Sequence, residues 1–129
     1  MFENYTALDL YSTLIQLRDD GSADGTARSE RSDIGLWTIS AFHADNDQAL
    51  HSHVWERHPT GHEVLGVLSG SLHVYLREAG EDPVATLTAG QAFLVPTGAW
   101  HRLSVREPGD LLSITPRAGT EHERMGEPS

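Results

Sequence analysis

The chain has no cysteine and no lysine, and its nine basic residues are all arginine. Without thiols there are no disulfides, no thiolate nucleophile and no zinc-thiolate cluster. Without lysine there is neither a Schiff-base amine nor the lysine of a phosphate loop. Positive charge is scarce as well: 9 basic against 19 acidic residues leave a formal charge of −10. Such a surface repels phosphate backbones and anionic lipid headgroups, so nucleic acid and membrane partners are not expected. No apolar run approaches the ~18 residues needed to span a bilayer, and Met1-Phe2-Glu3-Asn4 lacks the basic and apolar stretches of a secretory signal. The expectation is a soluble, cytoplasmic protein whose chemistry must come from imidazole, carboxylate and hydroxyl groups.

At 129 residues the chain is of single-domain size. Leu8, Tyr11, Leu14 and Ile15, with Thr6 and Asp9 spaced like a capping box, read as a short amphipathic helix, with a strand as the alternative. Residues 19–33 have no periodicity and few apolar side chains, so residues 1–33 form an N-terminal segment ending in a mobile loop. From Ile34 short apolar or alternating runs follow: Ile34 to Phe42, Leu50 to His58, Glu63 to Leu68, Leu72 to Arg77, Val84 to Thr88, Ala92 to Val95, Arg102 to Arg106 and Leu111 to Thr115. Gly/Pro/Ser turns separate them, which predicts an all-β antiparallel sandwich or barrel over residues 34–115. Residues 116–129 are polar and aperiodic and read as a flexible C-terminal tail. In Glu63 to Leu68, Leu65 and Val67 point one way while Val64 and Leu68 point the other, so something must cover the outer face. A second copy is expected, giving a homodimer through sheet faces or exchanged N-terminal segments.

Four of the 8 histidines fall between positions 51 and 62. On a regular strand Glu56 and His58 share one face, whereas His51, His53, Trp55 and Arg57 share the other. The turn after His58 then returns Glu63 at the start of the next strand. Further on, Gly90-Gln-Ala-Phe-Leu-Val-Pro96-Thr-Gly98-Ala-Trp-His101 places another histidine just past a tight Pro/Gly turn. His62-Glu63 is not followed by the histidine of a zinc-protease helix, and Ser69 lacks the glycine frame of a nucleophile elbow.

These segments resemble the cupin family. Its first signature pairs two histidines across one residue, then three or four residues, a Glu, six residues and a Gly. Glu56-Arg57-His58, Glu63 and Gly70 fit that frame, with Glu56 where the first His is usual. The second signature, Gly, five residues, Pro-X-Gly, two residues and His, is met by Gly90, Pro96, Gly98 and His101, while Val105 stands where an Asn is common. The resemblance implies a double-stranded β-helix, or jelly-roll barrel, with a short N-terminal helix or segment. It also implies that Glu56, His58, Glu63 and His101 converge on one metal inside it. Two imidazoles and up to two carboxylates without sulfur suit iron, manganese, nickel, zinc or copper. Glu56 is read as fourth ligand, as a displaceable general base, or as an acceptor for a ligand histidine. Tyr75, Phe93 and Trp100 are candidate wall residues of a substrate pocket. His51, His53 and His62 are read as surface or turn residues, and His43, His73 and His122 as structural or surface. Two functions remain: a metal-dependent enzyme acting on a small organic substrate by dioxygenase-, isomerase- or cyclase-like chemistry, and a noncatalytic cupin that binds or senses a small ligand.

Overall fold

In the computed structural model, which describes residues 6–30 and 36–126, each of the alternating runs becomes a strand. The strands are β1 (Thr13–Leu17), β2 (Ala23–Ala27), β3 (Trp37–Ala44), β4 (Val54–Arg57), β5 (Glu63–Val67), β6 (Ser71–Leu76), β7 (Ala85–Thr88), β8 (Ala92–Val95), β9 (His101–Glu107), β10 (Gly109–Thr115) and β11 (Glu121–Arg124). They form a six-stranded sheet in the order β2-β1-β3-β10-β5-β8 and a five-stranded sheet in the order β11-β4-β9-β6-β7. All pairings are antiparallel. The two sheets build a jelly roll and do not close into a barrel. Among the described residues no helix is long and apolar enough to cross a membrane.

Three expectations are corrected. Residues 13–17 form β1 and not a helix. The Asp9 carboxylate accepts from Tyr11 N–H and Ser12 Oγ, which makes a turn and not a capping box. The segment predicted as a mobile loop contains β2, paired along its length with β1. The polar tail does not fray: β11 pairs with β4, from Glu121 opposite Arg57 to Arg124 opposite Val54. The first residues of the predicted Ile34 to Phe42 strand lie outside the described residues.

Between the sheets the side chains are graded from apolar to polar. Inward positions run Ala44, Phe42, Ser40, Thr38 on β3 and Val67, Leu65, Glu63 on β5. On β10 they run Leu111, Ser113, Thr115, and on β9 Val105, Leu103, His101. At the apolar end Ala44, Val67, Leu72, Val74, Leu87 and Leu111 form the core, with Phe93 and Val105 packed against it. Each buried Leu or Val there contributes about 1.5–3 kcal/mol. At the polar end hydroxyls pair across strands: Ser40 Oγ lies 2.9 Å from Ser113 Oγ, and Thr38 Oγ1 donates to Gln16 Oε1 at 2.9 Å. Near the apolar end the backbone crosses itself so tightly that a Cβ on Gly109 would collide with the Ser69 carbonyl.

The outer face of the six-stranded sheet carries Ile15, Ile39, Ile114, Val64 and Leu94 in one register-matched row. Leu94 is 61% exposed, and nearby Leu68 is 55% exposed.

At one end of this sheet's central strand pair His43 joins β3 to β10. Its Nδ1 is 2.8 Å from Asp110 Oδ1 and its Nε2 is 2.8 Å from Asp45 Oδ1. Hydrogen bonds to Asp110 and then to Asp45 raise the His43 pKa above its ordinary value. A raised folded-state pKa gives stability that is fully present below the unfolded value of about 6.5 and is lost as pH rises through the folded value. Wild type is therefore expected to melt above His43→Asn at mildly acidic pH, with the gap closing in alkaline buffer. Thermal unfolding of both proteins across that range checks it.

Candidate metal centre

The site is assembled by strand parity and one turn. Glu56 on β4 lies opposite His101 on β9, and both face inward from the five-stranded sheet. His58 follows one residue beyond the end of β4, where Gly98 N–H donates to its carbonyl at 2.9 Å. That bond ties the His58 turn to the Pro96-Thr97-Gly98 turn, in which Gly98 takes φ 75°, a left-handed conformation that suits glycine. Glu63 enters from the opposite sheet at the start of β5.

The four residues Glu56, His58, Glu63 and His101 offer ligand atoms all within 4.8 Å of one another and can hold a metal ion. His58 Nε2 lies 2.9 Å from Glu56 Oε1 and 3.3 Å from Glu63 Oε2. His101 Nε2 lies 3.0 Å from Glu63 Oε1 and 4.0 Å from Glu56 Oε1. Atoms held ~2.1 Å from a common ion are separated by roughly 3–4 Å, which matches this span.

Hydrogen bonds on the far side of each ring decide which nitrogen carries a proton. His101 Nδ1 is 3.0 Å from the Ala99 carbonyl, which only accepts, so Nδ1 carries the proton and Nε2 presents a lone pair to the cluster. His58 Nδ1 meets Thr120 Oγ1 at 2.9 Å. Glu63 Oε2 already accepts from Thr115 Oγ1 at 2.6 Å. Within the cluster His58 Nε2 and Glu63 Oε1 are buried with no hydrogen-bond partner of acceptable geometry. With both rings neutral, four acceptors face one another and none has a donor. A cation among them would offset the several kcal/mol that a buried carboxylate without compensating charge costs.

In the bare chain a proton takes that place. Burial alone would lower the His58 pKa, but the close Glu56 and Glu63 carboxylates override it and lift the pKa to about 9. Burial would raise Glu63, yet the close His101 and His58 imidazoles bring it down to about 2. Glu56 is lowered by His58 against the opposing effect of burial. The two carboxylates are thus ionised and, with neutral imidazoles, would match the charge of a divalent ion.

The cluster opens into a cavity of about 890 Å³. Ser40, Phe42, Val54, Leu65, Leu103 and Ser113 line it between the sheets. The predicted wall residues lie elsewhere. Trp100 adjoins His101 in sequence and therefore takes the opposite face, where Arg57 stands 5.1 Å and Arg77 5.4 Å from its ring centre. Tyr75 also faces outward, beneath Arg102 at 3.8 Å, with its hydroxyl 3.0 Å from Ser104 Oγ. Phe93 points inward but packs against the apolar core at the far end. His51 and His53 are exposed, and His62 bridges to Thr97 at 2.7 Å outside the site.

Sequence reasoning missed three contributors. Thr115 and Thr120 bond directly to Glu63 and His58, and His122 Nε2 lies 2.7 Å from Glu56 Oε2. For His122 the signal would have been the pairing of the tail with β4, which sets His122 opposite Glu56. Of the three, Thr115 bears most directly on the bare site. Replacing it by Val removes the hydroxyl on Glu63 Oε2 and is expected to cost about 1–3 kcal/mol in the metal-free protein. Thr115→Ser should retain most of that stability, and urea unfolding of both variants is the check.

Comparison with known proteins bears on the fold and the family. A cupin-2 domain protein from Shewanella frigidimarina aligns at 22% identity over 67% of this chain and 76% of its own, with a TM-score of 0.49. A double-stranded β-helix protein from Klebsiella pneumoniae is 24% identical over 68% of this chain and 75% of its own, with a TM-score of 0.53. A cupin 2 domain-containing protein from Halorhodospira halophila is 20% identical over 90% of this chain and 82% of its own, with a TM-score of 0.50. At these identities the likeness speaks to fold alone. No curated protein matches the chain. Residues 48–115, more than half of the sequence, match the cupin domain, and the chain belongs to the cupin family.

Proposed function

We propose that the chain is a small metal-dependent enzyme acting on a small organic substrate between its sheets, by dioxygenase-, isomerase- or cyclase-type chemistry. The observation that carries this reading is the uneven exposure of the cluster. The side chains of His58, Glu63 and His101 are 1%, 5% and 4% exposed, whereas that of Glu56 is 32% exposed and faces the cavity. Three buried residues would hold the ion while the fourth meets whatever enters. A divalent iron, manganese, nickel, zinc or copper ion suits the nitrogen and oxygen donors. Such an ion would polarise an oxygen-bearing group or activate a bound molecule.

The residues of the chain do the remaining work. His58 and His101 donate through Nε2, and Glu63 supplies charge from the opposite sheet. Glu56 is the displaceable member: His122 holds Oε2 at the mouth, which leaves Oε1 to bind or to take a substrate proton. Phe42, Val54, Leu65 and Leu103 give a substrate apolar contact, and the Ser40–Ser113 pair offers hydroxyls.

Elemental analysis of protein purified without a histidine tag or added metal tests the reading. Wild type is expected to carry a first-row metal, and His101→Ala to lose most of it while its far-ultraviolet circular dichroism is unchanged. A metal-free wild type that also takes up none of these ions on addition would overturn the reading.

We also infer that a second copy of the chain covers the row from Ile15 to Leu94. A twofold pairing would lay this apolar row on its own copy, as sheet faces stack about 10 Å apart. Sedimentation should give twice the 14.1 kDa chain mass for wild type and the single mass for Leu94→Asp. A monomeric wild type at micromolar concentration would remove the inference.

A further inference from the structure

Past the residues that match the cupin domain, the chain turns back onto the site. The Thr120 N–H and its hydroxyl both donate to the Arg117 carbonyl, at 3.1 and 2.8 Å. A threonine hydroxyl has one proton, so its oxygen is left to accept. His58 Nδ1, 2.9 Å away, must then be the donor. The proton of a neutral His58 is thereby placed on Nδ1, and the lone pair on Nε2 is turned into the cluster. Without this acceptor the ring could carry its proton on Nε2, where Glu56 and Glu63 would receive it.

Two residues on, His122 extends the row Glu56–His101 by one strand. Its Nε2 lies 2.7 Å from Glu56 Oε2, while Glu56 Oε1 points at His58 Nε2 from 2.9 Å. One carboxylate oxygen is held at the mouth and the other is aimed inward. The strand that carries His122 is pinned by its opposite face. Glu121 accepts from Arg57 at 2.6 Å, and Glu123 accepts from Arg77 at 2.6 Å. Arg57 and Arg77 in turn lie against the Trp100 ring.

We propose that the C-terminal strand and the residue before it are a working part of the metal centre, with Thr120 and His122 as positioning residues. Thr120 keeps the His58 proton on Nδ1 so that Nε2 faces the ion, and His122 restricts Glu56 to one ligating oxygen. The proposal rests on the metal-binding reading of the cluster and assigns roles to residues outside the matched domain.

Cobalt(II) is the probe, added to the metal-free full-length protein and followed by its visible absorption. Partners of ligand residues typically contribute 10–100-fold in affinity. Thr120→Val is expected to weaken cobalt binding by about that factor, with Thr120→Ser returning it close to wild type. His122→Leu should change the visible bands, because Glu56 is then free to bind through both oxygens, and His122→Gln, which keeps a donor, should restore them. Wild-type cobalt binding with Thr120→Val equally tight and both spectra unaltered overturns the proposal and leaves the metal reading standing. A wild type that binds no cobalt overturns both. If Thr120→Val does not fold, Thr120→Ala against Thr120→Ser decides: weaker binding by the alanine variant supports the proposal, and equal binding overturns it.

Discussion

A carboxylate sealed between two sheets is the constraint around which this molecule is arranged. Glu63 is 4% exposed and stays ionised. Its close neighbours are the Thr115 hydroxyl, which donates to it, and the two imidazoles. Thr115 donates to Oε2, which His58 Nε2 also approaches, His101 Nε2 lies 3.0 Å from Oε1, and the turns at residues 58–62 and 96–99 deliver those rings. Hydrogen bonds to a charged acceptor are worth roughly twice neutral ones, so the arrangement tolerates burial that an isolated carboxylate would not.

The division of the interior follows from that demand. Leu and Val fill one end and supply the burial that holds the sheets together, while Ser, Thr and Gln occupy the same inward register at the other. Those hydroxyls satisfy one another across strands, so they can line a cavity without leaving unpaired groups that would favour collapse. A single fold thereby provides a rigid base and an open, polar end.

Much of this was legible in the sequence. The strands from β3 to β10 announce themselves because alternation and Gly/Pro turns mark both their faces and their ends, and the spacing of Glu56, His58, Glu63 and His101 identifies the cluster. The flanking strands were not legible, for a common reason. β2 (Ala-Asp-Gly-Thr-Ala) and β11 (Glu-His-Glu-Arg) contain no large apolar residue, so pairing with a neighbour and ion pairs, rather than burial, make them strands. In β1 the buried Gln16 takes an inward position where alternation calls for an apolar side chain, and it disguises the strand as a helix face. The misplaced wall residues have a different origin. Tyr75 and Trp100 were chosen for aromatic character, whereas their neighbours Val74 and His101 already fix them on the other face.

The cluster draws its members from both layers: Glu63 from one, Glu56 and His101 from the other. It does so at the end where greasy contacts between the layers are fewest. An ion seated there would act as a rivet through two plates that are glued only along their opposite margin. Loading would then stiffen the mouth far more than the base, and prying the layers apart would begin at the rivet whenever it is missing.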